Sequence, residues 1–405
     1  MKFAVAGCGS RGDVEPCIAV GRELLRRGHD VRLAVTVPPE MVAFIESEGL
    51  TAVPYGRDWQ AQLRDENFVR MIQNPVSAIH EAIEYVAQVA AEKTATLMSL
   101  TDGADLLLAG INEQGLAANV AEYYGIPLAA LHSFPSQILE LGSPHDGSVA
   151  KQAEHAQRRA LGLPEATGPS TRPMLEHESL EIQAYDEFCL PGPAAEWVES
   201  DGRRPFVGAL TLELPTDTDE EVLSWIAAGT PPIYFGFGST PIASPGDTVA
   251  MISAACAQLG ERVLICSGPN DVTGNQHPDH VKVVRAVNHA AVFPACRAVV
   301  HHGGAGTTAA ALRAGIPTLI LFTVWLDQPL WAGAVTQLEV GFGRRFSETT
   351  VDTLVADLRS VLAPRYVAQA RAVATQMTKT AESLARAGNL LEDTARRGRV
   401  VRFRR

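Results

Sequence analysis

The run His301 to Thr308, HHGGAGTT, holds the residue types that bind an anion. Glycines at 303, 304 and 306 allow backbone conformations closed to other residues and let a bulky anion approach the chain. A helix starting near Gly306 would present free N–H groups and the positive end of its dipole, and both attract phosphate. Thr307 and Thr308 add hydroxyls, and His302 adds an imidazole that can donate to an oxygen of a leaving diphosphate. His301 reads as packing or support at the strand end. The turn is neither the GxGxxG dinucleotide pattern nor a Walker A motif, because no GK[ST] follows. Taken alone it is an anion turn or simply a tight strand-to-helix connection. TVWLDQ at 323–328 adds Asp327 and Gln328, a carboxylate and an amide, which is the pair needed to hold sugar hydroxyls. The same two residues could instead cap the following helix.

GCGSRGDVEP at 7–16 is a second glycine-lined turn. Ser10 and Arg11 could donate to phosphate or shape the pocket. Asp13 stands at the start of a helix, where an aspartate often serves only as a cap or dipole partner. Direct displacement at an anomeric carbon also needs a base to take the proton of the incoming hydroxyl, and Asp13 is the first-half residue placed to do so. Other histidines and acids, among them His80, Glu81, His132, His145, His155 and His177, read as packing, surface or acceptor contacts. The DTD at 217–219 lies in a Pro/Thr-rich stretch and reads as exposed or helix-capping, so no essential metal is expected.

These turns need strands and helices to position them. Phe3 to Ala6 is a short strand, and a helix from about Val14 to Arg27 carries Cys17, Val20, Leu24 and Leu25 at helical spacing. GHD at 28–30 stops that helix and VRLAVTV opens the next strand. Strands alternating with helices continue through 106–131, which is the rhythm of an open parallel sheet. A long, polar, helical pattern fills 61–100, and 133–175, rich in Gly, Pro, Ser and His, reads as loops. The rhythm restarts at Ile233 and runs through strands at 262–266, 281–284, 298–301 and 317–321, ending in long helices and the basic tail RRGRVVRFRR. Two copies of one architecture follow, with ligands expected beyond the C-terminal ends of the strands.

A chain of 405 residues exceeds what one core usually fills, and its 46% hydrophobic, 20% charged composition is that of a folded α/β protein. The net charge of −12 gives nucleic acid no general attraction. Cysteines at 8, 17, 189, 256, 266 and 296 show no metal-ligand spacing and read as buried thiols of a reduced, cytoplasmic protein. The N-terminal apolar run is too short for a signal peptide and no stretch suits a membrane helix, which leaves peripheral contact with the inner membrane face, through the tail, as an open alternative.

Together, GSRGDVEP, GFGS at 236–239, VNHAAVFP at 287–294, HHGGAGTT and the later DQP resemble the GT-B glycosyltransferases of family 1. The likeness is to the actinobacterial branch acting on glycopeptide antibiotics and mycobacterial glycopeptidolipids, and it spans essentially the whole chain. It implies an α/β chain of two facing Rossmann-like domains with an interdomain cleft. The expected boundaries are an acceptor domain at 1–210, a linker at 211–222, a nucleotide-sugar domain at 223–378, and a helix at 379–405 crossing back. It further implies inverting, metal-independent transfer of a hexose or deoxyhexose from a UDP- or dTDP-sugar, with Asp13 as base. Backbone groups near Val287 would hold the nucleobase, and Ser239, His302, Gly303, Gly304, Gly306 and Thr307 the diphosphate. Asp327 and Gln328 would contact the sugar, with Ser10, Arg11 and Gly12 also on the donor side. His80, His132, Phe134 and Trp325 are the expected acceptor contacts.

AEYYGIPLAALHSFP and the terminal sequence resemble mycobacterial glycolipid-type transferases, which implies a lipid-like or other hydrophobic acceptor, with a polyketide, ansamycin, macrolide or glycopeptide aglycone as the alternative. A sugar-nucleotide 2-epimerase and a noncatalytic nucleotide-sugar binder share the architecture. A monomer or weak homodimer is expected.

Overall fold

In the computed structural model, residues 1–36, 42, 45–57, 62, 68, 79–135, 144–164, 179–190, 202–270, 272, 277–323 and 327–402 are described. The chain divides into two compact units. The first comprises Met1–Tyr185, Gly192–Leu212 and Thr380–Arg405; the second comprises Asp186–Pro191 and Glu213–Lys379.

The first unit is built on β1 (Lys2–Gly7), β2 (Asp30–Val35), β3 (Thr51–Pro54), β4 (Leu106–Ala109), β5 (Leu128–His132) and β6 (Leu180–Gln183). All pair in parallel, in the order β3-β2-β1-β4-β5-β6. Val5 on the central strand lies opposite Leu33 on one side and Leu108 on the other. Strands such as LLLA at 106–109 are buried at every residue, because crossover helices cover both faces of a parallel sheet. Those helices are α1 (Arg11–Arg26), α2 (Ile79–Thr101), α3 (Gln114–Tyr124) and α4 (Pro144–Ala160).

Helix α1 begins three residues before the expected Val14, since Ser10 and Asp13 form a capping box that draws GD into the first turn. Helix α4 corrects the expectation of loops across 133–175. Its packing is polar, so no apolar stripe announced it: Asn119 Nδ2 donates to Gln157 Oε1 (2.7 Å), and Arg158 Nη1 donates to Asn119 Oδ1 (2.8 Å) and Glu122 Oε2 (2.7 Å).

The second unit contains β7 (Ile233–Gly236), β8 (Val263–Cys266), β9 (Val281–Val284), β10 (Ala298–His301), β11 (Thr318–Phe322) and β12 (Gly341–Arg345). They too are all parallel, ordered β12-β11-β10-β7-β8-β9. Numbered within each unit, both sheets read 3-2-1-4-5-6, the doubly wound order whose crossovers reverse direction at the central strand pair. The helices of this unit are α5 (Asp219–Ala227), α6 (Pro245–Leu259), α7 (His289–Val292), α8 (Ala305–Ala314), α9 (Asp327–Gln337), α10 (Val351–Val361) and α11 (Pro364–Ala374). The last helix, α12 (Thr380–Arg402), belongs to the first unit. It joins α1 there through Arg27, which donates to Asn389 Oδ1 (2.7 Å) and the carbonyl of Ala385 (2.9 Å). All six cysteines are free thiols, five of them buried. Among the described residues no helix is long and apolar enough to cross a membrane.

Candidate functional site

In the second unit the strand order reverses between β7 and β10, and a ligand crevice is expected at their C-terminal ends. His302 occupies that point. A Cβ on Gly238 would lie 2.5 Å from its Cε1, and a Cβ on Gly304 would lie 2.6 Å from its Nε2, so the ring is slotted between two glycines. Burial pushes the His302 pKa down to about 4, and the carbonyl of Gly236 opposes that only in part. The ring is therefore neutral near pH 7 and has one N–H to donate. Its Nδ1 is buried with no hydrogen-bond partner among the described residues.

His301 is fully buried, and its Nδ1 accepts from the N–H of Gly303 at 3.0 Å. That bond bears on Gly303 as a donor-binding residue, because its N–H is already committed inside the turn. Gly304 caps α8, and the first N–H groups of the helix, at Ala305, Gly306 and Thr307, have no intrahelical acceptor and remain for an anion. Thr308 turns inward: its N–H and hydroxyl both reach the carbonyl of Gly304, at 3.0 and 2.9 Å. The hydroxyl of half-buried Thr307 has no partner among the described residues, and Ser239 lies half-buried in the turn after β7.

Two further expected residues lie in the first turn of α9. Gln328 is buried in the first turn of α9, and its Oε1 accepts from the N–H and hydroxyl of Thr323, both at 2.8 Å. Its amide NH2 has no hydrogen-bond partner among the described residues. Asp327 opens the same helix, and Trp325 lies outside the described residues.

The backbone on either side of Val287 is pinned. Thr218 Oγ1 donates to the carbonyl of Ala286 (2.8 Å), and the N–H of Asn288 donates to Asp219 Oδ1 (2.8 Å). Val287 between them has no backbone partner among the described residues, which suits a group meant to pair with a base edge. Asp219 of the DTD is thus a structural clamp, bonded also to Thr216. Among the described residues no group of three or more His, Cys, Asp or Glu is spaced to hold a metal ion.

In the first unit the equivalent reversal lies between β1 and β4. Asp13, half-buried in the first turn of α1, accepts at Oδ2 from the N–H (2.7 Å) and hydroxyl (2.8 Å) of Ser10. Its Oδ1 has no partner among the described residues. Burial raises the Asp13 pKa, outweighing the two Ser10 hydrogen bonds that lower it. The Ser10 hydroxyl is thereby spent on Asp13, and Arg11 Nε pairs with Glu15 Oε2 at 3.0 Å. Gly12 is exposed.

Asn112, which the sequence reading passed over, joins this turn. A Cβ on Gly9, at φ +129°, would lie 2.4 Å from Asp13 Oδ2 and 2.8 Å from Asn112 Nδ2. The two side chains therefore cross over Gly9, and Asn112 Nδ2 also donates to the carbonyl of Cys8 (2.9 Å). Its signal is topological, since Asn112 is informative only once β4 is known to lie beside β1.

Of the expected acceptor residues, His132 and Phe134 are buried. His132 pairs with Glu181 at 3.3 Å, which makes its ring a support. His80 lies in α2, but its side chain is outside the described residues.

Beneath the same strand ends, Glu113 is buried between Lys93 Nζ (2.6 Å from Oε1) and the hydroxyl of Tyr55. Removing one partner of such a pair leaves an uncompensated charge. Glu113→Ala is expected to lower the unfolding free energy of the first unit by about 3 kcal/mol in a urea titration. A loss below about 1 kcal/mol would mean that Lys93 reaches solvent instead.

Residues 3–136 match the glycosyltransferase family 28 N-terminal domain, and residues 243–389 match the erythromycin biosynthesis protein CIII-like C-terminal domain. An uncharacterized glycosyltransferase of Mycobacterium tuberculosis is 58% identical, covering 98% of this chain and 100% of its own length. The chain is a GT-B glycosyltransferase. This nucleotide-sugar-dependent transferase is also 30% identical to the vancomycin aglycone glucosyltransferase of Amycolatopsis orientalis, over 98% of each chain. Its fold is that of a calicheamicin glycosyltransferase, with a TM-score of 0.70 at 17% identity over 97% of this chain and 98% of the other. The glycosyltransferase of kitacinnamycin gives a TM-score of 0.74 at 18% identity, over 97% and 99%.

Proposed function

We propose that this glycosyltransferase moves a hexose or deoxyhexose from a UDP- or dTDP-sugar to a hydroxyl of a hydrophobic natural product or glycolipid, with inversion and without a metal. The observation that carries the reading is the neutral His302 ring held between Gly238 and Gly304 beside the N-terminus of α8. That arrangement offers an N–H and a helix end to the charge that develops on a departing diphosphate. The nucleobase rests on the backbone of Val287, and Asp327 and Gln328 hold the sugar. Asp13 Oδ1 removes the proton of the acceptor hydroxyl as its oxygen attacks the anomeric carbon and the bond to the diphosphate breaks. One displacement inverts the configuration. The vancomycin aglycone glucosyltransferase, a relative at 30% identity, supports a natural-product acceptor.

A crossed screen of UDP- and dTDP-sugars against hydrophobic aglycones and glycolipids, read by product mass and by anomeric coupling constants, tests this. At least one pair should give an inverted glycoside. A product of retained configuration removes the direct displacement, and the absence of both transfer and donor hydrolysis with every pair removes the activity.

A further inference from the structure

We propose that His301 is a positioning residue of the donor site: through Nδ1 it holds the N–H of Gly303, and so sets the turn that presents His302 and abuts Gln328. The inference rests on the reading of this turn as the diphosphate site.

Gly303 sits at φ +98°, and a Cβ there would lie 3.0 Å from Ile320 Cγ2 and 3.1 Å from both Cα and the carbonyl oxygen of Gln328. The glycine is therefore wedged between β11 and the first turn of α9, and any rotation of its peptide moves against Gln328. On its other side the chain leads directly to His302, whose ring fits only while Gly238 and Gly304 keep their places around it. The His301 ring stands edge-on to that of His302, with centroids 6.1 Å apart and planes at 84°. One hydrogen bond, from Gly303 N–H to His301 Nδ1 at 3.0 Å, thus fixes the peptide shared by the diphosphate and sugar ends of the site.

Simple packing accounts poorly for a histidine here. The rest of β10 is Ala298, Val299 and Val300, all buried, and another apolar residue would continue that pattern. His301 instead carries a buried Nε2 with no hydrogen-bond partner among the described residues, a desolvation cost that an apolar side chain avoids. What the imidazole gives in return is the acceptor for Gly303. Burial holds its pKa well below the usual histidine value, with the neighbouring His302 and His289 acting in the same direction. The ring is neutral, and with Nδ1 accepting, its proton is on Nε2.

Substitutions that move the acceptor atom separate positioning from packing. Asn places its Oδ1 where Nδ1 stands, Gln carries its oxygen further out toward the Nε2 position, and Phe keeps the volume without an acceptor. Affinity for UDP and dTDP, measured by calorimetry, should stay within about threefold of the parent in His301→Asn and fall about tenfold or more in His301→Gln and His301→Phe. The loss should appear in the donor KM, with the pH profile of kcat unchanged. Parent-like affinity in His301→Gln or His301→Phe overturns the proposal, as does a His301→Asn variant that folds but binds no better than the other two.

The 15N spectrum of the histidine-labelled parent gives a test independent of all three variants' stability. His301 should show an unprotonated, hydrogen-bonded Nδ1 and a protonated Nε2, and the opposite tautomer overturns the proposal. His302→Ala keeps the two readings apart. If it binds the nucleoside diphosphates as the parent does, the diphosphate assignment falls, while the tautomer still decides what His301 does to Gly303.

Discussion

Asp13→Asn is expected to bind UDP or dTDP as the parent does and to transfer sugar about a thousandfold more slowly. The substitution is chosen because the carboxylate has two separable tasks. At Oδ2 it accepts from the backbone and hydroxyl of Ser10 and closes the capping box of α1. An asparagine oxygen can take both bonds, so the helix start survives and about 1 kcal/mol of capping is retained. An amide cannot take a proton from an attacking hydroxyl, so only the base function is lost. Because burial raises the Asp13 pKa, the parent's kcat/KM should fall with decreasing pH through a limb above the ordinary aspartate range, as the base becomes protonated. That limb should be absent from the residual activity of the variant. Transfer at more than about a tenth of the parent rate would leave Asp13 as a cap and nothing more.

The sequence made the sheets legible because parallel strands buried on both faces write continuous apolar runs. LLLA at 106–109 and AVVH at 298–301 begin and end as the pattern predicts. It concealed α4, whose contacts with α3 run through Gln157, Arg158, Asn119 and Glu122 rather than through an apolar stripe. It also concealed β12, GFGRR, which has two glycines and two arginines on a sheet edge. At the candidate site the residue types were legible and the allotment of their hydrogen bonds was not. Ser10, Arg11 and Gly303 each read as a donor to phosphate. Ser10 Oγ, Arg11 Nε and the Gly303 N–H go to Asp13, Glu15 and His301, within four residues along the chain, and spacing alone does not say whether a short-range partner or a ligand takes such a bond. Asn112 was hidden for the opposite reason, since its neighbour Asp13 lies 99 positions away and the two meet only through the pairing of β1 with β4.

Gly238→Ala should lower kcat/KM about a hundredfold while the second unit remains folded. The residue lies outside HHGGAGTT and would touch no substrate through a side chain, so its effect has to pass through His302. A methyl group there would stand 2.5 Å from Cε1 of the ring, a separation that carbon atoms do not tolerate. A Cβ on Gly304 would lie 2.6 Å from Nε2 of the same ring, so the ring also packs closely on the backbone of a second glycine. A displacement of about 1 Å at a group that stabilises a leaving diphosphate is enough for a loss of this size. Alanine at φ +57° adds about 1–2 kcal/mol of backbone strain, which a unit of this size absorbs without unfolding. Gly246→Ala, eight positions on in the first turn of α6, is the matched control, since its Cβ would meet nothing within 4 Å. Calorimetry with the nucleoside diphosphate should show the loss in Gly238→Ala and parent-like binding in Gly246→Ala. If Gly238→Ala turns over and binds like the parent, the histidine slot is a packing detail, and the diphosphate must draw its stabilisation from the α8 helix end alone.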